Sequence, residues 1–371
     1  MTITSQHILF LGNGRCYHTM DWFRSAQRLQ PDPPPVLVTD LIEGESFIKL
    51  TRPGDCVERL LVIDPILSRK QSRIGDIWRN AVKLLLLPLQ AFLLSRVVKK
   101  YPDSVVHAHS TYYIAMARAS GCRYVATPQG SEVLARPYRS RFYNLFSRYA
   151  FERAARITVD SVAMQRCLRE LFGLDATIVQ NGIDIDAMRE SGDSAPVRDH
   201  IVSMRGIVPN YQIDLLLDAR NRTLPGVPID FCYPFDGKEY RAAIADKFIA
   251  ADRDLGRLSR PDLYKLLRAT ALVVSIPLSD SSPRSVYEAI FCGCMVAASD
   301  GAWIAQLPAC MRARIMVVDP HSGTWLHEAL ETARIRVTEP YVPSREALEM
   351  FDQKLSMQKF YNEIFPSVAQ A

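Results

Sequence analysis

Short apolar runs alternate with longer segments of helical periodicity along the whole chain. The first run, Ile8–Leu11, leads into Gly12, Asn13 and Gly14 and predicts a buried strand followed by a glycine-rich turn. Residues 20–29 then have the spacing of a helix. Further strand-like runs lie at 36–38, 60–63, 105–107, 124–126 and 157–159. Strands that alternate with helices in this way predict a parallel α/β fold.

A second α/β set follows a polar break in the chain. Residues 189–198 contain Gly192, Ser194 and Pro196 and have the composition of a linker. Strand-like runs resume at 201–204, 229–233, 272–275 and 295–298, and residues 344–364 have helical spacing. The sequence shows no internal repeat. We therefore predict one domain over 1–190, a second over 199–340, and a C-terminal helical segment over 341–371.

The most apolar stretch lies at 79–100. Its leucines are flanked by basic residues, and Pro88 interrupts the run. The apolar part falls short of the roughly 20 residues that a membrane-spanning helix needs, so we predict that it does not span a bilayer. Two interpretations stay open: a helix packed on the sheet, or a helix whose basic edge also contacts a membrane.

Composition narrows the class of protein. A chain of 371 residues exceeds the usual size of one core, and 48% hydrophobic with 23% charged residues is typical of a folded soluble protein. The net charge of +5 suits an anionic ligand or membrane surface but is too small for a nucleic-acid binder. The eight cysteines are scattered without a C-x-x-C pair, and no secretory signal is present. These features favour reduced thiols, a cytoplasmic location and no structural zinc.

The residues best suited to bind a ligand lie in the segment 277–293. Asp280 and Glu288 stand eight positions apart around a serine-rich turn, and Ser282 precedes Pro283 as an N-cap residue precedes the first helical proline. A helix beginning there would direct backbone N–H groups and its positive dipole end at an anion. Glu288, one turn inside, could accept hydrogen bonds from hydroxyls. Phosphate at the turn and sugar hydroxyls at the acids describe a nucleotide-sugar.

This segment resembles the E-x7-E motif of family 4 glycosyltransferases, although the first acid here is aspartate. The resemblance continues in the right order along nearly the whole chain, and it is closest to members that build bacterial surface polysaccharides. It implies the GT-B fold: two Rossmann-like domains facing across a cleft, with the C-terminal helix crossing back to the N-terminal domain. It also implies that Asp280 lies near the transferred sugar and Glu288 binds the ribose, with further donor contacts from Ser281, Ser282, Pro283, Arg284 and Ser285.

The start of the second domain resembles the same family. Ser203, Met204, Arg205 and Gly206 are similar to its Gly-Arg-Leu segment, which implies that Arg205 contacts the donor phosphates. The family's usual lysine is replaced, because Asn210 or Tyr211 falls at its position. A monophosphate donor such as a CMP-sugar therefore stays open beside a diphosphate donor.

The first domain carries two further matches and a glycine-rich turn. Residues 102–110 resemble the family's PDVVHAH strand end, which implies that His109 lies close to the reacting carbon while His107 packs in the strand. Residues 127–132 resemble its T-P-x-G-S-D loop, which implies acceptor contact; the candidate residues are Gly130, Ser131 and Glu132. Gly12, Asn13 and Gly14 would bring backbone close to donor phosphates or acceptor. They do not form a dinucleotide fingerprint, because Tyr17 replaces the third glycine.

The resulting prediction is a retaining transfer of sugar from a nucleotide-sugar to a glycan or lipid-linked acceptor. It needs neither metal nor cofactor, because Arg205 and the helix end would offset the charge on the leaving phosphate. Asp184 and Asp186 have D-x-D spacing but more simply shape a turn. We expect a cytoplasmic enzyme of surface-polysaccharide synthesis, with a peripheral contact to the inner face of the membrane.

Three other functions remain in view. A sugar-nucleotide epimerase would use acids and a histidine without an acceptor. A non-catalytic GT-B protein would bind a nucleotide-sugar or a partner without turnover; the altered first acid and the missing lysine favour it. A nicotinamide dehydrogenase is the weakest alternative, because the glycine fingerprint is incomplete.

Overall fold

The computed structural model describes residues 7–30, 32–40, 51–62, 73–180, 182–190, 192 and 197–364, and its chain divides into two compact units. The first unit consists of residues 1–181 and 354–371, and the second of residues 182–353. Each unit is built around one parallel sheet. The predicted α/β class is confirmed.

The described strands of the first unit form a seven-stranded sheet in the order β3-β2-β1-β4-β5-β6-β7. The strands are β1 Ile8–Leu11, β2 Val36–Thr39, β3 Val57–Arg59, β4 Val105–His109, β5 Tyr124–Thr127, β6 Arg156–Val159 and β7 Thr177–Ile178. The helices are α1 Tyr17–Leu29, α2 Arg73–Lys100, α3 Thr111–Ser120, α4 Gly130–Leu134, α5 Arg136–Arg139, α6 Arg141–Phe151 and α7 Val162–Phe172. Strand order reverses between β1 and β4, so this is the topological switch point of the sheet.

The two faces of this sheet are covered by different helices. Buried residues of α2, α3, α6 and α7 share one apolar core with side chains of the strands, including Leu94, Ile114, Phe151 and Leu168. Buried residues of α1 and of the C-terminal segment share the core with Ile8 and Phe10. The strands are therefore covered on both faces, as expected for apolar strands of a parallel sheet.

The described strands of the second unit form a six-stranded sheet in the order β10-β9-β8-β11-β12-β13. The strands are β8 His200–Ser203, β9 Asp230–Cys232, β10 Arg253–Gly256, β11 Thr270–Ser275, β12 Met295–Ala298 and β13 Ile315–Val317. The helices are α8 Ile185–Glu190, α9 Ile213–Thr223, α10 Lys238–Ala243, α11 Arg260–Arg268, α12 Arg284–Phe291, α13 Ala309–Arg312, α14 Trp325–Arg336 and α15 Arg345–Phe351. Short 3-10 helices lie at Pro209–Tyr211, Ala245–Lys247 and Ile304–Gln306. The switch point lies between β8 and β11.

The structure differs from the sequence prediction in four of its strands. The third strand is Val57–Arg59, whereas Leu60 to Val62, part of the predicted run, lie outside it; Ile63 is outside the described residues. Strands β7, β10 and β13 were not predicted; they have two, four and three residues and are half-buried or exposed. Helix α2 continues through Pro88, which interrupts the apolar run but not the helix.

The C-terminal segment is not one continuous helix. Helix α15 packs in the core of the second unit through Ala347 and Phe351. The chain then forms α16 at Gln353–Lys359 and a π-helical turn at Phe360–Ile364, and Met357, Phe360 and Tyr361 pack in the core of the first unit.

The unit boundaries lie beside the polar linker rather than in it. Ile183 N–H donates to Phe351 O at 2.6 Å, and Gln353 N–H donates back to Ile183 O at 2.9 Å. These bonds join both connecting segments within the second unit, which therefore begins before residue 190 and extends past residue 340.

Candidate active site

In each unit, predicted site residues lie where the strand order reverses, at the carboxyl ends of the central strands. In the second unit, β8 and β11 are neighbours, with Ser203 opposite Val274. Arg205 follows β8 by two residues, and Asp280 lies in the loop that follows β11. Ligands of open α/β sheets bind in this position.

Arg205 connects three of the predicted residues. Its Nη2 forms an ion pair with the Asp280 carboxylate, and its Nη1 donates to Ser285 Oγ at 2.8 Å. The Tyr211 ring centroid lies 4.6 Å from the guanidinium carbon, within range of a cation–π contact. The guanidinium is thus buried and held in a fixed orientation by a carboxylate, a hydroxyl and an aromatic ring.

The loop after Arg205 is shaped by a close aromatic contact. A Cβ atom added to Gly206 would lie 2.4 Å from Phe235 Cε2, so only glycine allows the ring to approach. Asn210 occupies the region of the missing lysine and donates from Nδ2 to Ser279 O at 3.1 Å, while Leu278 N–H donates to Asn210 O at 2.7 Å. Asn210 therefore fixes the loop that carries Asp280 instead of supplying a second cation.

Glu288 is buried in α12 and has two polar neighbours. The Tyr264 hydroxyl donates to Oε1 at 3.3 Å, and Arg284 Nε lies 3.5 Å from the same oxygen. Burial, with the Glu288 charge as a second cause, raises the pKa of Tyr264 above its usual range, so its hydroxyl remains a donor. Tyr264 was missed by the sequence analysis, because it lies 24 residues from Glu288 in another helix and no motif marks it.

The turn before α12 differs in detail from the expectation. Ser282 N–H donates to Asp280 Oδ1 at 3.3 Å, and Ser282 O accepts a bond from Arg284 N–H at 2.9 Å. Helix α12 therefore begins at Arg284 with Pro283 in the N-cap position, and the prediction of Ser282 as N-cap was wrong by one residue. Ser281 is half-buried in the same turn.

Three buried polar atoms near this switch point have no hydrogen-bond partner among the described residues. They are Ser203 Oγ, Ser275 Oγ and Arg205 Nε. Ser203 and Ser275 are the last residues of β8 and β11. Buried polar groups are normally paired, so these atoms leave capacity for hydrogen bonds at the end of the sheet where a ligand would bind.

In the first unit, His109 ends β4 and is buried among rings. Its centroid lies 4.6 Å from Phe10, 5.3 Å from Trp22 and 4.5 Å from His107. Burial, followed by the neighbouring His107 and His18, lowers the pKa of His109 well below its usual range. The imidazole is therefore neutral at physiological pH, and its Nε2 has no hydrogen-bond partner in the described part of the chain.

His107 supports this arrangement from within the strand, where it is fully buried as predicted. Its Nε2 lies 2.8 Å from Thr127 Oγ1, and the Phe360 ring lies 4.8 Å away, centroid to centroid. Burial lowers its pKa to about 3. The C-terminal segment thus packs directly on His107.

The glycine-rich turn after β1 meets His109. A Cβ atom on Gly12 would lie 2.6 Å from Thr19 Cγ2 and 3.4 Å from His109 Cβ, so glycine is needed for α1 to approach the strand end. Asn13 Oδ1 accepts a bond from Arg15 N–H at 2.9 Å, and Gly14 N–H donates to Thr39 Oγ1 at 3.2 Å. Gly12 and His109, predicted separately, are therefore neighbours.

The predicted acceptor residues begin α4. Glu132 is buried, and its Oε2 accepts bonds from Thr111 N–H at 2.9 Å and Gln129 N–H at 3.0 Å. Burial raises the pKa of this carboxyl. Glu132 thus joins α4 to the start of α3, while Gly130 is half-buried and Ser131 is exposed. Ser131 is the most accessible of the three for an acceptor.

Backbone strain occurs beside the histidine. Ser110, which follows His109, has φ of 68° and ψ of 150°, a backbone conformation that residues other than glycine rarely adopt. Its N–H donates to Thr127 O at 3.1 Å, which holds the strand end to β5. Such strain costs roughly 1–3 kcal/mol and is concentrated at functional sites.

The D-x-D pair has a local contact of its own. Asp184 Oδ1 accepts a bond from Ala187 N–H at 3.1 Å at the start of α8, and Asp186 lies 3.9 Å from Arg189. Within the described ranges, no group of three or more metal-ligating side chains was found.

Comparisons with known proteins give a family match to part of the chain and a likeness of fold over nearly all of it. The family model described as "Glycosyltransferase Family 4" matches residues 66–187. No curated protein matches the chain.

Three solved structures illustrate the likeness of fold. HepE (Alr3699) from Anabaena, in complex with UDP and glucose, has a TM-score of 0.73 at 14% identity, over 97% of this chain and 100% of that chain. The lipopolysaccharide outer core galactosyltransferase WaaB, in its apo form, has 0.59 at 12%, over 97% and 99%. A putative UDP-N-acetylglucosamine 2-epimerase from Listeria monocytogenes has 0.60 at 12%, over 99% and 98%. The resemblance to family 4 glycosyltransferases is thus confirmed by the match over residues 66–187, and the chain has the GT-B fold.

Proposed function

We propose that this protein is a retaining glycosyltransferase that moves a sugar from a UDP-sugar to a hydroxyl of a lipid-linked glycan. The observation that carries the proposal is the grouping of Arg205, Asp280, Ser285 and Glu288 at the switch point of the second sheet. The Arg205 guanidinium and the Ser285 hydroxyl can bind a phosphate group. The buried Glu288 carboxylate, one turn into helix α12, can accept hydrogen bonds from the two hydroxyls of a ribose.

HepE, which is 14% identical to this chain, was solved in complex with UDP, and this supports UDP as the leaving group. The Asp280 carboxylate now holds Arg205, so donor phosphate would have to share or displace it. Because phosphate offers more acceptor oxygens and more negative charge than one carboxylate, the exchange is favourable. Arg205 and the start of α12 would then stabilise the charge on the leaving diphosphate without a metal.

The first unit would contribute neutral groups. A neutral His109 can donate or accept a hydrogen bond but adds no charge near an oxocarbenium-like centre. No protein nucleophile stands out among the predicted residues, which favours front-face attack assisted by the departing phosphate oxygen, and hence retention. Surface-polysaccharide synthesis is the setting supported by analogy with WaaB, a lipopolysaccharide outer core galactosyltransferase.

A second candidate is favoured by one observation. A putative epimerase shares the fold, so the fold alone does not separate transfer from epimerisation. An epimerase leaves the nucleotide attached to its product, whereas a transferase releases it.

The test is product analysis with UDP-glucose, UDP-galactose and UDP-N-acetylglucosamine, in the presence and absence of bacterial lipid-linked sugars. We expect acceptor-dependent release of UDP and an α-linked product by NMR from these α-linked donors. Glu288→Ala should abolish release, and Glu331→Ala, an exposed acid in α14, should not. Epimerised nucleotide-sugar, or binding without turnover for every donor and acceptor, would contradict the proposal.

A further inference from the structure

One side of the first unit presents two apolar stripes to solvent. Helix α3 packs between α2 and α6, and most of it is buried. The outer sides of α2 and α6 flank it and carry large exposed apolar side chains: Trp78, Leu84, Leu85, Leu89, Phe92, Phe142, Leu145 and Tyr149. Leu85 is 80% exposed, Phe142 62% and Leu145 66%, which is unusual for such side chains in a soluble unit.

The spacing shows that these are stripes and not scattered residues. On α2 the exposed positions 78, 85, 89 and 92 recur at intervals of seven, four and three. On α6 the exposed positions 142, 145 and 149 recur at intervals of three and four. Both patterns place the side chains on one helical face.

The opposite side of α2 is fixed in the core. Ala91, Leu94 and Val97 are buried there, and the Gln90 side chain exchanges two hydrogen bonds with the Leu61 backbone, at 2.7 and 3.0 Å. By length and hydropathy α2 could cross a membrane from Trp78 to Lys100. Crossing would require these buried contacts and the layer against α3 to separate, so the helix is suited to lie on a bilayer.

The charge of the two segments that carry the stripes indicates what kind of surface would bind them. Residues 78–100 and 136–151 contain nine basic and no acidic residues, whereas the rest of the chain has 36 basic and 40 acidic. The entire positive excess is therefore found in the two segments that carry the stripes. Lysine and arginine beside exposed apolar residues match an anionic lipid surface, where headgroups meet the cations and acyl chains meet the rings and leucines.

We propose that the exposed faces of α2 and α5–α6 together form a docking surface for an anionic bilayer, with both helices lying in the interfacial plane. Leu85, Leu89, Phe92, Phe142 and Leu145 enter the headgroup region, and Arg96, Lys99, Arg139 and Arg141 contact lipid phosphates. The surface belongs to the first unit alone and does not depend on the donor site in the second. A lipid-linked acceptor would then be reached without a spanning segment.

The test is flotation of the full chain with vesicles of phosphatidylcholine alone or with 30% phosphatidylglycerol. We expect binding to the anionic vesicles, little to the neutral ones, and loss at 0.5 M salt. The double variants Leu85→Ser with Phe142→Ser, and Arg96→Gln with Lys99→Gln, should each weaken binding about tenfold or more. Matched controls in the second unit are Ile335→Ser with Val342→Ser for the apolar pair, and Arg222→Gln for charge; these should bind as the wild type does.

Far-UV circular dichroism and thermal unfolding of each variant separate a failure to fold from a failure to dock, and neither measurement depends on the donor site. Absence of binding to anionic vesicles by folded wild type would overturn the proposal. So would equal weakening by the controls. Conversion of a dimer to a monomer by the surface variants, with vesicle binding unchanged, would assign the surface to a second copy of the chain instead.

Discussion

The two switch points have the same topology and opposite chemistry. In the second unit the strand ends carry Arg205 and the Asp280 loop, with the buried Glu288 in the helix that follows. In the first unit they carry Gly12 and a neutral histidine packed on Phe10 and Trp22. Because the backbone arrangement is shared, the difference lies in the side chains. One end is suited to an anion, and the other to uncharged groups.

The largest loss of activity is expected from a substitution at the charged switch point of the second unit. Arg205→Ala removes the cation opposite the leaving phosphate and leaves Asp280 without its ion pair, so kcat/KM should fall about 10²–10³-fold. Steady-state rates of UDP release measure this. Arg222→Ala, an exposed arginine of α9, is the control and should change the rate less than twofold or so. Equal losses in both variants would mean that the Arg205 contacts are only structural.

The buried, neutral histidines at the switch point of the first unit should make the free energy of unfolding depend on pH. Burial lowers the pKa of His107 to about 3 and that of His109 well below the usual value, while both titrate near 6.5 when unfolded. The unfolded chain therefore binds more protons than the folded chain below pH 6.5. The contribution of the two neutral histidines to the free energy of unfolding is complete above pH 6.5 and is lost as the pH falls below that value. Each histidine contributes up to about 1.4 kcal/mol per pH unit.

Urea unfolding at pH 7, 6 and 5 tests this, and His107→Gln and His109→Gln should each have a shallower slope than the wild type. A free energy of unfolding in these variants that depends on pH as steeply as the wild type's would contradict buried, neutral histidines.

Tyr264→Phe should affect only the charged end. It removes the hydroxyl 3.3 Å from Glu288 Oε1, and a hydrogen bond to a charged group contributes about 1.5 kcal/mol or more. The Kd for UDP should rise about tenfold. Tyr341→Phe is the matched control, because this half-buried tyrosine of the same unit contacts Cys310 instead. An unchanged Kd in Tyr264→Phe would show that the hydroxyl does not position Glu288.

The smallest effect, and one of opposite sign, is expected for Asp280→Asn. The substitution keeps the shape but removes the charge that holds Arg205, so UDP should bind roughly three- to tenfold more tightly. Sugar transfer should not accelerate with it if Asp280 also contacts the sugar. Weaker binding of UDP would mean that the carboxylate orients Arg205 for phosphate and does not compete with it.

Much of the fold could be predicted because it is local in sequence. Apolar runs such as Ile8–Leu11 and Met295–Ala298 define central strands, and both lie within a residue of the prediction. Strands β7 and β10 could not be found this way, since they are too short or too polar to form an apolar run, whereas the apolar residues of β13 were overlooked. Helix α2 continues through Pro88 because packing of α2 against α3 outweighs the helix-breaking tendency of proline.

The candidate site divides in the same manner. Arg205, Asp280 and Glu288 were found through motif spacing, and the structure brings Arg205 and Asp280 together. Tyr264 and the packing of Phe235 on Gly206 could not be found, because they arise from tertiary contacts between distant segments. Glu132 shows the converse: its motif suggested an acceptor contact, whereas its carboxylate binds two backbone N–H groups. The acceptor role of this residue stays a prediction.

Isothermal titration of UDP into the wild type, Glu288→Ala and His109→Gln tests the comparison most directly, with GDP, ADP, dTDP and CMP as alternative nucleotides. The account predicts selective binding of UDP that Glu288→Ala weakens at least about tenfold and His109→Gln leaves unchanged. Equal binding of UDP by wild type and Glu288→Ala, or loss of binding in His109→Gln alone, would contradict a donor site in the second unit.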